Sequence, residues 1–323
     1  MHAVLEWGYQ VIHWMQQFSP QADPIFRTIT ALGSEQAYLI LIPLIYWAVN
    51  KRRGLHLGFL LVLSALLNYG LKDLFSQPRP SPDRVQVLAT ETNPGLPSGH
   101  SQNSVTVYGY LAHQIRRPWA WFAVGWLALS IGISRVYLGA HFPTDVLAGW
   151  FIGIILLVLY LRLEPHITGF LRHRSWNIKM LLAVGLPLVG FVLYTNENSA
   201  QVLGLLWGLM VGVLVEWRWV GFSALGSARQ RALRLLLGGL VLVAIWLGLK
   251  VAFAALSPAG PAGSATTLDL ILRLIRYAAL GLWGSLGAPY FFVRLGLAAR
   301  EPRLEVFPFT AGEEPASSDP QPE

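Results

Sequence analysis

The sequence predicts an all-α integral membrane protein: a polytopic helical bundle of about nine transmembrane helices preceded by an N-terminal interfacial helix. Three observations predict this class. Hydrophobic residues make up 54% of the 323 positions and charged residues only 13%, about half the charged share of a soluble domain. Apolar runs of spanning length recur, separated by short basic clusters. Thirteen Trp and eleven Tyr suit a molecule with two interfacial belts to fill. The absence of cysteine excludes disulfide scaffolds, thiolate metal sites and cysteine-nucleophile enzymes.

Residues 3–18 open the chain. Glu6, Gln10, His13, Gln16 and Gln17 make this stretch too polar to span, while Val4, Leu5, Trp7, Val11, Ile12 and Met15 recur at helical spacing. Such a segment lies flat at the interface. It lacks the basic start and clean apolar stretch of a cleavable signal peptide. Spans follow near 29–50, 55–73, 99–115, 118–137, 143–163, 178–195, 201–216, 233–256 and 268–293. Residues 1–175 read as one core and 176–300 as additional C-terminal transmembrane helices. Residues 301–323 hold six acidic residues, one base and several Pro and Ser. That composition cannot bury a core and predicts a disordered acidic tail. Gly204, Gly208 and Gly212 recur four apart, as do Gly149 and Gly153. Such rows let helix backbones approach closely, within one chain or across a dimer face. A homo-oligomer is not otherwise indicated.

Residues 1–300 carry 23 basic and 11 acidic residues, a net +12. The bases fall in short clusters between spans, which reads as membrane topology and not as a nucleic-acid surface. With the Lys51–Arg53 loop placed inside, alternation puts 16 of the 24 bases on the cytoplasmic side. The eight others are Arg27, Lys72, Arg79, Arg84, Arg135, Lys250, Arg273 and Arg276. The positive-inside rule gives no reason for these external charges.

Three of them lie within a set of three polar segments at span ends on that external face. The first runs Lys72-Asp-Leu-Phe-Ser-Gln-Pro-Arg79-Pro80 and the second is Pro97-Ser98-Gly99-His100. The third is Ser134-Arg135-Val-Tyr-Leu-Gly-Ala-His141-Phe-Pro-Thr-Asp145. Ionisable groups kept near a bilayer are functional candidates. Lys72, Arg79 and Arg135 offer three positive charges to a phosphate, Arg in bidentate fashion and Lys as a point charge. Pro97-Ser98-Gly99-His100 opens a helix whose first N–H groups form an anion site. Gly99 lets the backbone approach that anion with no side chain in the way, and His100 stands beside it as a proton donor. Pro143 suits the first position of the next helix. Asp145, four residues after His141, can return to the imidazole, fix its tautomer and support positive charge on the ring. The other ring nitrogen is then free to attack phosphorus.

These segments match K-x6-R-P, P-S-G-H and S-R-x5-H-x3-D without a departure. On them the sequence resembles the PAP2 family, the type 2 phosphatidic acid phosphatases, over roughly residues 25–165. The resemblance implies that His141 forms a phosphohistidine, that Asp145 orients it and that His100 protonates the leaving alcohol. It implies that Lys72, Arg79, Ser98, Gly99 and Arg135 hold the phosphate oxygens, and that neither a metal nor another cofactor is needed. The likeness is to bacterial polytopic members with extra C-terminal spans. The expected protein is an integral membrane phosphohydrolase, in a bacterial inner membrane, with its site facing the exterior. Its expected partners are the lipid bilayer and a lipid phosphate or diphosphate: phosphatidic acid, phosphatidylglycerol phosphate, undecaprenyl diphosphate or a sphingoid-base phosphate. The same residues would serve a lipid phosphotransferase or a sugar-phosphate phosphatase. A transporter with a degenerate site would carry a less complete set of motifs.

Other residues read less sharply. Glu91, Thr92 and Asn93 read as solvated loop or substrate contacts. Asp73 reads as a local salt bridge or cap, Tyr137 as core packing or as packing under the site, and His56 as an interfacial or loop residue. Residues 176–300 carry no catalytic signature. Arg273 and Arg276 share a helix face, and Asp269 is placed to pair with Arg273. With Lys250 they suggest either a groove for an anionic headgroup or side chains reaching the interface.

Overall fold

Why the chain turns where it does follows from its caps. Ser34 accepts a hydrogen bond from Ala37 N (3.3 Å), Asn50 from Arg53 N (2.9 Å) and Asn196 from Ser199 N (2.8 Å). Pro118 and Pro143 each stand in the first turn of a helix. The computed structural model describes residues 2–256 and 265–301. Among these every regular element is helical, joined only by an isolated bridge between Phe222 and Arg300. Of the predicted tail, 301–323, all but Glu301 lies outside the described residues.

We number the helices α1 (His2–Gln16), α2 (Asp23–Ala31), α3 (Glu35–Ala48), α4 (Lys51–Phe75), α5 (99–115), α6 (Pro118–Tyr137) and α7 (Pro143–Arg172) in the first half. The second half holds α8 (Trp176–Leu193), α9 (Glu197–Val220), α10 (Ala228–Leu256) and α11 (Thr267–Arg294).

The protein is an all-α integral membrane protein. Seven described helices are long and apolar enough to cross a bilayer: α4 and α6 through α11. The count is eight if the bent pair α2–α3 is one span. Two of the nine expected spans therefore take a different form. The span expected at 29–50 is broken between α2 and α3 at a 44° bend. Ser34 caps the second helix there, and Gly33 lies against Ile131 and the His100 ring. The span expected at 99–115 is continuous but only 17 residues long. Its middle, Ser104–Tyr108, is a π-turn. The Thr106 hydroxyl lies 3.2 Å from both the Gln102 and Asn103 carbonyls, competing with the α-ladder.

Two glycine rows set the close contacts. At Gly149 a Cβ would meet Ser98 O at 2.6 Å, and at Gly153 it would meet Gln102 O at 2.8 Å. The backbone of α7 therefore lies directly on the start of α5. Gly208 brings α9 so near α11 that a Cβ would sit 1.9 Å from Ala278 O, and Gly204 and Gly212 continue that contact. This row packs within the chain.

Helix α1 docks against the C-terminus of α6, the N-terminus of α7 and the 81–86 loop. Gln16 donates to Gln86 O (2.7 Å) and Tyr137 O (2.9 Å), Tyr9 Oη accepts from Ser81 N, and Glu6 takes both guanidinium arms of Arg84 at 2.7 Å. Trp7, Trp14 and Phe18 remain exposed, as an interfacial helix requires.

The other end of α4 is closed by buried charge. Lys51 Nζ lies 2.6 Å from Glu216, whose carboxylate also accepts from Phe222 N (2.8 Å). Arg234 is fully buried and donates to the carbonyls of Trp47, Ser223, Ala224 and Leu225 at 2.7–3.1 Å. His56, read as interfacial or loop, is instead buried in α4 against the Tyr160 hydroxyl (2.8 Å). An apolar helix offers a histidine that position when a facing tyrosine satisfies it.

Candidate active site

The three polar segments meet at one end of the bundle, so their convergence is geometric as well as sequential. His141 sits between α6 and α7 and is fully buried. Its Nδ1 lies 3.3 Å from Asp145 Oδ2, which also accepts from Phe142 N (3.0 Å) and so completes the N-terminal cap of α7. The other carboxylate oxygen accepts from Gln77 Nε2 (2.7 Å). Asp145 is therefore held by two donors before it orients anything. Arg79 Nη1 lies 3.0 Å from His141 Nε2. A guanidinium can only donate, so Nε2 carries the lone pair and Nδ1 the proton. Burial, then the charges of Arg79, Arg135 and Lys72, hold the His141 pKa well below the ordinary histidine value. The ring is a neutral imidazole with its basic nitrogen turned toward the cations.

Those cations form a cradle around one carboxylate. Glu91 lies 2.6 Å from Arg79 Nη2 and in direct contact with Arg135 Nη2, and its Oε1 is 3.9 Å from His100 Nδ1. Burial pushes the Glu91 pKa up, but the Arg135 and Arg79 charges outweigh it and hold the group below the usual carboxylate range. Arg79 also donates to Asn93 O and Ala140 O, both at 2.7 Å. Arg135 reaches Thr30 Oγ1 on α2 (3.0 Å), while its buried Nε has no acceptor. Lys72, at the last turn of α4, contacts Pro94 O and Asn93 Oδ1. The 91–94 loop thus supplies an acceptor to each of the three cations.

His100 is placed by α5. Ser98 N donates to Asp145 O (2.9 Å), and the Ser98 hydroxyl caps α5. Gly99 faces Asn68, whose Oδ1 a Cβ would approach to 3.2 Å. Asn68 donates to Gln102 (2.9 Å), Gln102 to Ser64 (2.8 Å), and Ser64 to Asn103 (2.6 Å). This buried chain locks α4 to α5 and so fixes Lys72 relative to His100. Among the described residues no group of three or more His, Asp and Glu side chains is arranged to hold a metal ion.

Comparison with known proteins gives this geometry a family. The description "PAP2 superfamily" matches residues 53–168, and "PAP2 superfamily phosphatase, transmembrane extension" matches residues 200–300. Phosphatidylglycerophosphatase B of Bacillus subtilis is 32% identical over 164 residues, covering 47% of this chain and 79% of that protein. The chain belongs to the PAP2 superfamily. Lipid phosphate phosphatase delta of Arabidopsis thaliana is 27% identical, over 59% of this chain and 51% of that protein. The chain thus spans about half the length of some curated relatives it matches. The crystal structure of the transmembrane PAP2 type phosphatidylglycerolphosphate phosphatase from Bacillus subtilis is similar with a TM-score of 0.47 and 28% identity. The match covers 52% of this chain and 89% of that one.

Two cavities flank the candidate site. One, of about 410 Å³, is lined by Lys72, Asn93, Gly99, His100 and Asn103. The other, of about 770 Å³, is lined by Arg79, Arg84, His13, Thr90 and Ala140. Glu91 lines both.

The second half of the chain meets the site end through Asp73. Its carboxylate accepts from the Tyr194 hydroxyl and from Asn196 Nδ2 (3.1 Å), so it is a tie to the second half and not a local cap. The three bases of the suggested groove line neither cavity. Arg273 pairs with Glu197 (2.9 Å). Asp269, expected to pair with Arg273, accepts from Thr266 N and Oγ1 and caps α11. Arg276 lies over Tyr277, and Lys250 is exposed over Trp246.

Tyr137 is buried as expected, stacked on Phe26 at 4.0 Å, with its hydroxyl on Asp23 (2.6 Å). Sequence reasoning missed Gln77, Asn68 and Gln102. Gln77 lies inside the first motif, between Lys72 and Arg79, and that position was the available signal.

Proposed function

We propose that this chain is a metal-independent lipid phosphate or diphosphate phosphatase that works through a phosphohistidine. The single observation carrying this reading is the His141 imidazole, bound at Nδ1 by Asp145 and directing Nε2 into a three-cation cradle. The Nε2 lone pair attacks phosphorus, and the bond from phosphorus to the lipid oxygen breaks with its electron pair on that oxygen. His100 delivers the proton to the departing alkoxide. Lys72, Arg79, Arg135, the Ser98 hydroxyl and the Gly99 backbone N–H bind the equatorial oxygens as charge builds there. Asp145 stabilises the positive ring formed by attack. Water then adds to phosphorus, the P–N bond breaks, and inorganic phosphate leaves.

Residues 1–175 form the catalytic core, and 176–300 an accessory bundle anchored to it by the buried Lys51–Glu216 pair, by Arg234 on the Trp47 carbonyl and, at the site end, by Asp73. The site faces the exterior of a bacterial inner membrane, the orientation supported by the 16 bases placed inside. Phosphatidylglycerophosphatase and sphingosine-1-phosphate phosphatase, named among the relatives, direct the substrate search to lipid phosphomonoesters first.

Phosphate release by purified protein across a lipid panel tests the reading. Activity on at least one lipid phosphate, abolished in His141→Ala, is expected. Released phosphate should carry one oxygen from isotope-labelled water. Phosphoryl transfer to a second alcohol with no labelled phosphate identifies a transferase. Full activity in His141→Ala overturns the phosphohistidine.

A further inference from the structure

The most unusual feature of the site is that an anion already fills it. Glu91 holds Arg79 and Arg135 together and lies 3.9 Å from His100. Its side chain is 27% exposed, against 3% for Arg135, so the acid can leave and the cation cannot. The carboxylate stands in the wall between two cavities. The larger, of about 770 Å³, offers room for a displaced side chain beside Thr90, Ala89 and His13.

We propose that Glu91 is a specificity-determining residue. Its carboxylate is an internal counter-ion of the cradle, so that terminal phosphates gain the site and phosphodiester headgroups are refused. This rests on reading the cradle as a phosphate site. A carboxylate brings one negative charge and two acceptor oxygens to the arginines. A phosphodiester brings the same charge and the same number of non-bridging oxygens. It therefore gains nothing by exchange, and it competes against a group whose tether gives it a high effective concentration. A terminal phosphate brings up to two charges and three such oxygens. It can engage Arg79, Arg135 and Lys72 together and meet the Arg135 Nε left without an acceptor. Most membrane phospholipids are phosphodiesters, and an uncovered three-cation cradle at the bilayer rim would be filled by them. Discrimination here is built by making the wrong ligand break an existing ion pair.

The test is binding and not turnover. Inorganic phosphate and dimethyl phosphate are titrated against purified wild-type protein and Glu91→Gln in detergent, read by ³¹P line broadening. Wild type should bind phosphate and show no measurable affinity for dimethyl phosphate. E91Q should bind dimethyl phosphate and lose about tenfold or more in its preference for phosphate. Glu91→Ala gives the same comparison if the glutamine variant is poorly expressed. An unchanged preference in both variants, or weaker phosphate binding on loss of the acid, overturns the role of Glu91 alone. Wild-type protein that binds neither anion overturns the phosphate-cradle reading itself.

Discussion

Helix α4 carries a buried lysine at each end, about 32 Å apart, and the two surroundings use similar residues for opposite purposes. At one end Lys51 meets Glu216, and Arg234 is gripped by four backbone carbonyls. At the other, Lys72, Arg79 and Arg135 surround the loop that carries Glu91, Asn93 and Pro94. Glu216 has no exposure and Glu91 has 27%. The difference is whether the partner can leave. Buried backbone carbonyls and a Glu216 with no exposure cannot be exchanged for a ligand's oxygens, so the first arrangement can only hold the fold together. A carboxylate on a loop between two cavities can be exchanged, so the second can bind. A buried cation thus signals function when its partner is replaceable.

This contrast can be broken in four places. The largest effect is expected from His141→Ala, which should lower kcat by at least about 10³-fold without lowering the unfolding temperature. Loss of fold with loss of activity would make the site end as structural as the other. Glu216→Leu should do the reverse. It leaves Lys51 buried without its counter-ion, costing about 3–5 kcal/mol, read as a large fall in detergent unfolding temperature. The KM of the surviving protein should be unchanged.

A titration comes next. His141 should stay neutral at pH values where an ordinary histidine, near 6.5, takes up its proton. The sign follows from burial. Below 6.5 the unfolded chain binds this proton and the folded chain does not, so His141 contributes a loss of stability as pH falls. Carbon-13 NMR of labelled imidazole, assigned with His141→Ala, reads this directly. A midpoint at or above 6.5 in the free protein would contradict the neutral ring. The smallest effect is expected from Asp73→Asn, since exposed polar ties contribute about 0–1 kcal/mol. A severalfold rise in KM at unchanged unfolding temperature would show the extension positioning Lys72, and no change would leave it a passive support.

How much was legible in the sequence follows from distance along the chain. The His141–Asp145 pair is four residues apart at a helix start, so helical geometry alone brings it together. The bundle class was legible because a bilayer forces long apolar runs. Glu91 was not, because its position depends on contacts with remote segments. Leu88 N bonds Leu138 O, and Gly95 N bonds Gln77 O, and no local pattern encodes either bond. The tie from Asp73 to Tyr194 and Asn196 crosses more than a hundred residues and was invisible for the same reason. The break at Gly33 and Ser34 lay inside an apolar stretch whose average hydropathy concealed it. The shortness of α5 had a visible signal, since Arg116 and Arg117 stop the apolar run.

The contact from Arg79 Nη1 to His141 Nε2 has a chemical corollary. The lone pair assigned to the attack on phosphorus points at a guanidinium proton while it waits. Acylating and alkylating reagents, and reactive carbonyls in the cell, find that nitrogen already engaged. Only an oxyanion that draws the guanidinium to itself frees the lone pair, and it does so with phosphorus alongside. In the proposed mechanism the arginine that recruits the target also keeps the nucleophile from being spoiled between turnovers.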